Sequence, residues 1–210
     1  MSSQRRILNE LSKMGAFNRE NTEDIYVYPF EDNNMRLQSL VVGPKDSVYH
    51  GGYFLFDIKL PQTYPIEPPV FTFISPKYSD IGRLHPNLYE DGKVCLSILN
   101  TWGKNEWSSG SSVTIILKTI QSLLDDNPIK HEPRTSTSEE SRMYALAADF
   151  KCINLCEMIY ENRHELHPEI MTKIEEMHVK YEPVRLKRKE RMKQYIGKRV
   201  KYFHGSIMIR

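Results

Sequence analysis

The chain has 210 residues, of which 40% are hydrophobic, enough for one domain with a single core plus an appendage. Its net charge is +2, and we expect no apolar leader at its N-terminus. Its longest apolar runs are far shorter than the ~20 residues that span a bilayer. The sequence therefore predicts no membrane-spanning helix. Three cysteines without framework spacing favour a reducing compartment, so we expect a cytoplasmic protein that keeps free thiols.

The first part of the chain predicts one helix followed by four strands. Ile7, Leu11 and Met14 recur at helical spacing with Gly15 just after them, which predicts a short amphipathic helix. Strand-like runs at residues 25–28, 35–42, 52–60 and 70–74 are separated by turn signals. Because the connections are short, we expect an antiparallel meander and not βαβ units.

Residues 75–111 lack a regular pattern. A connection of that length inside a compact domain is usually functional or disordered. This one contains many aliphatic residues and two tryptophans, Trp102 and Trp107, so it is too apolar to stay in water. We therefore predict a structured loop that packs on the domain, with the two tryptophans as anchors.

Helical periodicity returns over residues 113–124, with Ser111 or Ser112 placed as the N-cap. A second helical stripe covers residues 145–159, and a third begins at Ile170 and stops at Pro183. One helix, four strands, a structured loop and further helices make the predicted fold class α+β.

A basic run follows at residues 185–201, which hold nine basic residues and one acid, Glu190. Subtracting its +8 from the net +2 leaves −6 on the rest of the chain. Such a run most often forms a solvated face. The alternative is a patch for nuclear import or for nucleic acid, which would add the nucleus to the expected locations.

Cys95 is the candidate nucleophile, because it lies in the structured loop, where a rigid scaffold can present it. A thiolate attacks carbonyls readily, and the resulting thioester stays energetic enough to pass its acyl group onward. A cysteine protease would need a partner base, for which His85 and His131 are candidates, but no triad signature surrounds Cys95. An acyl carrier needs no such base, since the acceptor can bring its own activation.

Asn87, eight residues before Cys95, has two alternative roles. Its amide can donate to a developing oxyanion, an effect typically worth ~2.7–4 kcal/mol. It can equally tie the loop to itself through turn hydrogen bonds.

Cys152 and Cys156 precede His164 and His167, but the spacing does not match the usual zinc patterns and Cys152 falls in an apolar stripe. A packed helix is favoured there, and we predict neither a metal nor a cofactor.

Several separated motifs occur in one order. They are Gly43-Pro44, Tyr49-His50-Gly51-Gly52, Tyr64-Pro65-Ile66-Glu67-Pro68-Pro69, His85-Pro86-Asn87 and Cys95-Leu96. Together they resemble the ubiquitin-conjugating enzyme family over roughly residues 5–160. Residues 92–99, with Thr101-Trp102 and the long gap to Trp107, resemble the C-terminally extended Z-type members.

The resemblance implies a UBC-like fold, a four-stranded antiparallel meander flanked by helices, with a core domain at residues 1–160 and a helical, basic extension at 161–210. It implies that Cys95 accepts ubiquitin, or a ubiquitin-like modifier, from an activating enzyme as a thioester and passes it to a lysine or a ligase cysteine. The roles that it implies for other residues are catalysis by Asn87, structural support by His85 and Pro86, docking of the activating enzyme by Arg5, Arg6 and Lys13, and ligase binding by Ile66, Pro68, Trp107 and Ser108.

The chain departs from the family pattern at three places. Glu67 occupies a position that is frequently basic or apolar, which changes the charge that a ligase meets. Ser109-Gly110 replaces the usual proline and alanine after Trp107-Ser108, and Lys130 occupies a position where many members place an acid near the cysteine. A cation there would repel the ammonium form of an incoming lysine, with Glu132 as the compensating acid. Two rival interpretations are a catalytically idle ubiquitin-binding scaffold and a nucleic-acid-binding protein that acts through its basic tail.

Overall fold

The structure, a computed structural model, describes residues 3–74, 83–103, 106–133, 135–202 and 205–209. The helices are α1 (Ser3–Arg19), α2 (Val113–Leu123), α3 (Ser138–Glu161), α4 (Pro168–Lys180) and α5 (Glu182–Met192). The strands are β1 (Ile25–Phe30), β2 (Asn33–Val42), β3 (Tyr53–Lys59), β4 (Val70–Phe73), β5 (Arg199–Tyr202) and β6 (Gly205–Met208). No helix in these ranges is long and apolar enough to cross a membrane.

The first four strands form the predicted antiparallel meander, in the order β1-β2-β3-β4. Leu40 of β2 pairs with Tyr26 on one side and with Leu55 on the other, and Phe56 pairs with Phe73 of β4. The last six residues of β2 are buried at every position. A strand without polar alternation is covered on both faces, so this sheet is the middle layer of the fold.

One face of the sheet is covered by α4. The backbone N–H of His167, just before α4, donates to Gln38 Oε1 at 2.8 Å, and the hydroxyl of Tyr53 lies 3.0 Å from Nδ1 of His178. Ile170, Ile174 and Met177 join the main hydrophobic core. The core thus continues across residue 160, and the division into 1–160 and 161–210 stays a prediction.

The first helix is longer than predicted, since α1 runs through Gly15 to Arg19. Its last turn is held from outside: Asn18 donates to the Val27 carbonyl at 2.7 Å and accepts from the Val27 N–H at 3.1 Å. These tertiary bonds to β1 offset the weak helix propensity of glycine.

The C-terminal region differs most from its prediction. The basic run was expected to be a solvated face, yet it forms α5, in which the arginines Arg185 and Arg188 are only 2% and 7% exposed. The extension is also not wholly helical, because β5 and β6 form a hairpin. Val200 and Ile209 pack with Phe150 of α3 in a second small core. The apolar alternation in the sequence, Val200 with Tyr202 and Ile207 with Ile209, is too short to predict a strand.

Candidate active site

Two reciprocal hydrogen bonds join Asn87 and Cys95. The N–H of Cys95 donates to the Asn87 carbonyl at 2.8 Å, and Nδ2 of Asn87 donates to the Cys95 carbonyl at 2.6 Å. The arrangement has the loop-tying geometry that was one of the two alternatives for Asn87. It closes the segment between the two residues and presents the thiol from a fixed backbone.

His85 supports this loop from inside. The ring is fully buried, its Nδ1 accepts from the Asn87 N–H at 3.0 Å, and its Nε2 lies 3.0 Å from the Leu123 carbonyl. A carbonyl can only accept, so Nε2 carries the proton. Burial, followed by the nearby His131, lowers the pKa of His85 to about 3. The neutral ring therefore links the loop to the end of α2, and the adjacent Pro86 carbonyl accepts from the Arg83 guanidinium.

The turn before Cys95 needs glycine at position 92. Gly92 has φ +89°, and a Cβ there would lie 2.9 Å from a methyl group of Thr72. The Phe73 N–H donates to the Gly92 carbonyl at 2.8 Å, which docks the turn on β4. After the cysteine, Oγ1 of Thr101 accepts from the Leu96 N–H at 2.8 Å. Hydrogen bonds on both sides thus fix the backbone of Cys95.

A cleft of about 130 Å³ opens beside Cys95. It is lined by Arg83, Pro86, Asn87, Tyr89, Cys95, Trp102, His131, Glu132 and Pro133. The Arg83 guanidinium lies 3.9 Å from the centre of the Tyr89 ring and 3.5 Å from Oε1 of Glu132. The cleft therefore carries one cation and one carboxylate next to the thiol.

Sequence reasoning did not assign a role to Arg83, Tyr89 or Thr101. Their nearness to the His85-Pro86-Asn87 and Cys95 motifs was the only available signal. The anchoring role of Trp102 was wrong: its side chain is 54% exposed at the mouth of the cleft. Trp107 does anchor its loop, with Nε1 donating to the Pro65 carbonyl at 2.9 Å.

Cys95 has no histidine partner of the protease kind among the contacts described. Both ring nitrogens of His85 are bonded to backbone, and Nε2 of His131 lies 2.9 Å from the Asp125 carboxylate. Burial raises the pKa of the Cys95 thiol, although the charges of Lys93 and Arg83 and a hydrogen bond from Tyr89 oppose that rise. The site holds a nucleophile that rests as a thiol.

This resting state predicts a steep pH dependence for alkylation of Cys95. Because the reactive form is the thiolate, the rate with iodoacetamide should rise about tenfold per pH unit between pH 6.5 and 8.5. Mass spectrometry of the modified peptide measures the rate. Cys152 and Cys156 are at most 1% exposed and should stay unmodified in the folded protein. A rate plateau below pH 8 would contradict the raised pKa.

Lys130 does not lie where its position in the sequence suggested. It belongs to a short 3₁₀ turn (Pro128–His131) and does not line the cleft. Its ammonium, 52% exposed, pairs with Asp125 at 2.7 Å. The turn instead directs Glu132 into the cleft, at 10% side-chain exposure. The predicted repulsion of an incoming amine by Lys130 is therefore corrected, since Lys130 pairs with Asp125 outside the cleft and the carboxylate of Glu132 is among the cleft's lining residues.

The basic residues predicted to dock an activating enzyme differ in accessibility. Arg5 and Lys13 are exposed on α1. Arg6 is 15% exposed, donates to the Ser111 carbonyl at 2.6 Å and lies 3.6 Å from Glu10. Arg6 therefore ties α1 to the loop before α2, which leaves less of it for a partner.

The predicted ligase residues lie on two loops that touch. Ile66 is 78% exposed, Pro68 is half-buried and Ser108 is exposed. The bond from Trp107 to the Pro65 carbonyl joins the two loops. The four predicted residues thus belong to neighbouring loops with an apolar tip.

Comparisons with known proteins agree with this geometry. A family model described as "Ubiquitin-conjugating enzyme" matches residues 6–150. The chain is 38% identical over 132 residues to "Ubiquitin-conjugating enzyme E2 Z" of Danio rerio, covering 63% of this chain and 40% of the relative. It is 36% identical over 146 residues to the protein of the same name from Xenopus tropicalis, covering 67% and 46%. The chain therefore spans less than half the length of these curated relatives.

A solved structure shares the fold. It is the E2 domain of a Toxoplasma gondii ubiquitin conjugating enzyme, with a TM-score of 0.54 and 26% identity. The match covers 72% of this chain and 97% of that structure. The predicted resemblance to Z-type members and the predicted fold class are confirmed.

Proposed function

Because the chain belongs to the ubiquitin-conjugating enzyme family, we propose that Cys95 accepts ubiquitin from an activating enzyme and transfers it to a lysine or to a ligase cysteine. The observation that carries the proposal is the Cys95 thiol beside an open cleft, held by Asn87 and His85. The completeness of this arrangement argues against an idle scaffold.

The loading step exchanges one thioester for another. The Cys95 thiolate attacks the C-terminal carbonyl carbon of ubiquitin, a C–S bond forms to Sγ, and the C–S bond to the activating enzyme's cysteine breaks. The departing thiolate takes up the proton that Cys95 released. No external oxidant is needed. Because burial raises the pKa of the Cys95 thiol, only its small ionised fraction attacks at neutral pH.

In the transfer step an amine or a second thiol attacks the same carbonyl carbon, a C–N or C–S bond forms, and the C–S bond to Cys95 breaks. The Cys95 thiolate that leaves takes up the proton that the attacking group loses. A lysine must lose a proton to attack, and the carboxylate that lines the cleft is Glu132. We assign Glu132 the role of attracting and orienting the incoming ammonium group. Asn87 Nδ2 bonds the Cys95 carbonyl in the resting state, so an oxyanion role would require this amide to share its donors.

The proposed partners rest on the family resemblance and on which of the predicted docking residues are exposed. We propose that Arg5 and Lys13 on α1 contact the activating enzyme and that Ile66, with the Trp107 loop, contacts the ligase. The nucleic-acid alternative loses support, because two arginines of the basic run, Arg185 and Arg188, are buried.

A charging assay tests the proposal. The chain is mixed with ATP, ubiquitin and an activating enzyme, and the products are separated on a non-reducing gel. We expect a band shifted by one ubiquitin that disappears with thiol reductant and is absent in Cys95→Ala. The matched control is Cys156→Ala, which changes a buried thiol on α3 and should still charge. The proposal would be refuted if the folded wild-type chain failed to charge with every activating enzyme in a panel.

A further inference from the structure

A second pocket lies far along the chain from Cys95, between the loop that joins β2 to β3 and helix α5. Its volume is about 410 Å³, and its polar lining comes from Lys45, Ser47, His50, Lys187, Arg188 and Arg191. Two segments about 140 residues apart therefore meet to form it. Neither the proposed thioester chemistry nor the docking surfaces use these residues.

The pocket is rich in positive charge. Four of its lining residues are lysines or arginines, and no carboxylate is among the lining residues described. The buried Asp149 lies beside the pocket and pairs with Arg188 and Arg191. It neutralises one of the four positive charges, so three remain, and the exposed Lys45 and Lys187 are not part of these ion pairs. Burial is the main cause of the lowered pKa of His50; the charges of Arg188 and Lys45 lower it further, and Asp46 opposes them.

Hydrogen bonds hold the walls in place without a ligand. Arg188 donates to the His50 carbonyl at 2.6 Å and to the Val48 carbonyl at 2.7 Å. Ser47 closes its own turn, donating to the Pro44 carbonyl at 2.7 Å and accepting from the Tyr49 N–H at 3.1 Å. A pocket whose walls are already ordered loses little entropy when a ligand binds. Lys45, Lys187 and Arg191 remain exposed at its rim.

We propose that this pocket binds a small polyphosphate, meaning a ligand with two or more adjacent phosphate groups. Lysine and arginine are the usual phosphate-binding side chains, and the volume falls in the range of small-molecule sites. A nucleic-acid strand would need an extended basic track with aromatic platforms, whereas this lining is concave and its one ring, His50, already packs against Tyr181.

Isothermal titration calorimetry with inorganic tripolyphosphate at low salt tests the proposal. We expect one saturable site, with an affinity that falls as salt is added. The double variant Lys45→Gln/Lys187→Gln removes two rim charges and should weaken binding by about tenfold or more. The matched control is Lys189→Gln/Lys193→Gln, which removes the same charge from α5 and its following turn outside the pocket. It should change affinity by less than about threefold, because its two lysines form exposed ion pairs with Glu157 and Glu190.

Four results would overturn the proposal. They are the absence of saturable binding, equal weakening in both double variants, equally tight binding of butanetetracarboxylate, and tighter binding of a DNA oligonucleotide through the same two lysines. The first two would leave only a diffuse charge effect. The third would replace phosphate chemistry with charge alone, and the fourth would replace the small ligand with a polymer. All four variant positions are exposed, so circular dichroism should show an unchanged fold.

Discussion

Asp149→Ala is expected to lower the free energy of unfolding by about 3–5 kcal/mol. Asp149 is 2% exposed, and one of its carboxylate oxygens lies 2.5 Å from Nε of Arg188, which is itself buried. Without the carboxylate, a guanidinium would remain in the interior with only carbonyl partners. A buried charge without an opposite charge beside it costs much free energy. The native state therefore loses stability, or α5 detaches from α3. Urea denaturation followed by circular dichroism measures the change.

A control on the same helix separates this effect from the loss of any ion pair. Glu139 pairs with Arg142 at 2.9 Å, but both side chains are about 65% and 64% exposed. Glu139→Ala should therefore destabilise the protein far less than Asp149→Ala does. The double variant Asp149→Leu/Arg188→Met removes both buried charges and should recover part of the lost stability. Equal destabilisation by Asp149→Ala and Glu139→Ala would show that the buried pair contributes nothing special.

The second large effect is acid sensitivity arising from His85. The pKa of His85 is about 3 in the folded protein, against an ordinary value of about 6.5 in an unfolded chain. Below about pH 6.5 the His85 ring therefore binds a proton in the unfolded state but stays neutral in the native state. Stability is complete above that pH and falls by about 1.4 kcal/mol per unit down to about pH 3. The total contribution of this residue is on the order of 5 kcal/mol.

The slope of unfolding free energy against pH isolates this residue. Wild type and His85→Asn share all other titrating groups, so the difference between their slopes from pH 6 to pH 4 should equal about one proton. If the variant folds too poorly to measure, proton NMR of the wild type gives the same information. The ring signals of His85 should not titrate between pH 7.5 and 4.5. A midpoint near pH 6 would contradict the neutral, buried ring.

Residue periodicity was sufficient for the sheet and for most of the helices, because their apolar faces repeat at regular spacing. The active-site loop was also predictable in part: Cys95, Asn87 and His85 are close in sequence, and their bonds to each other are local. Glu132 and Arg83 could not be paired in advance, since they meet only after α2 and the cysteine loop close on each other. The residues of a cleft that is formed by tertiary contacts have no regular spacing in the sequence.

The prediction for the basic run, residues 185–201, was wrong for a different reason. A solvated face was predicted because the neighbouring residues in the sequence do not indicate that a guanidinium group is buried. Arg188 is neutralised by Asp149, 39 residues earlier on α3, and that aspartate resembles any surface acid on a helix. The pattern of charge alone could not distinguish α5 from an exposed tail, and the same is true of the arginine Arg185 that packs beside Glu157.

The cover that α4 forms over the sheet has a consequence for how the chain is made. Synthesis proceeds from the N-terminus, so β1 to β4 and α3 emerge from the ribosome before α4 and α5 do. During that interval the sheet face around Tyr53 lacks its partner His178, and Asp149 lacks Arg188. The newly made chain therefore passes through a stage with an uncovered sheet face and an unpaired acid. It needs α4 to cover the sheet and α5 to pair with the acid.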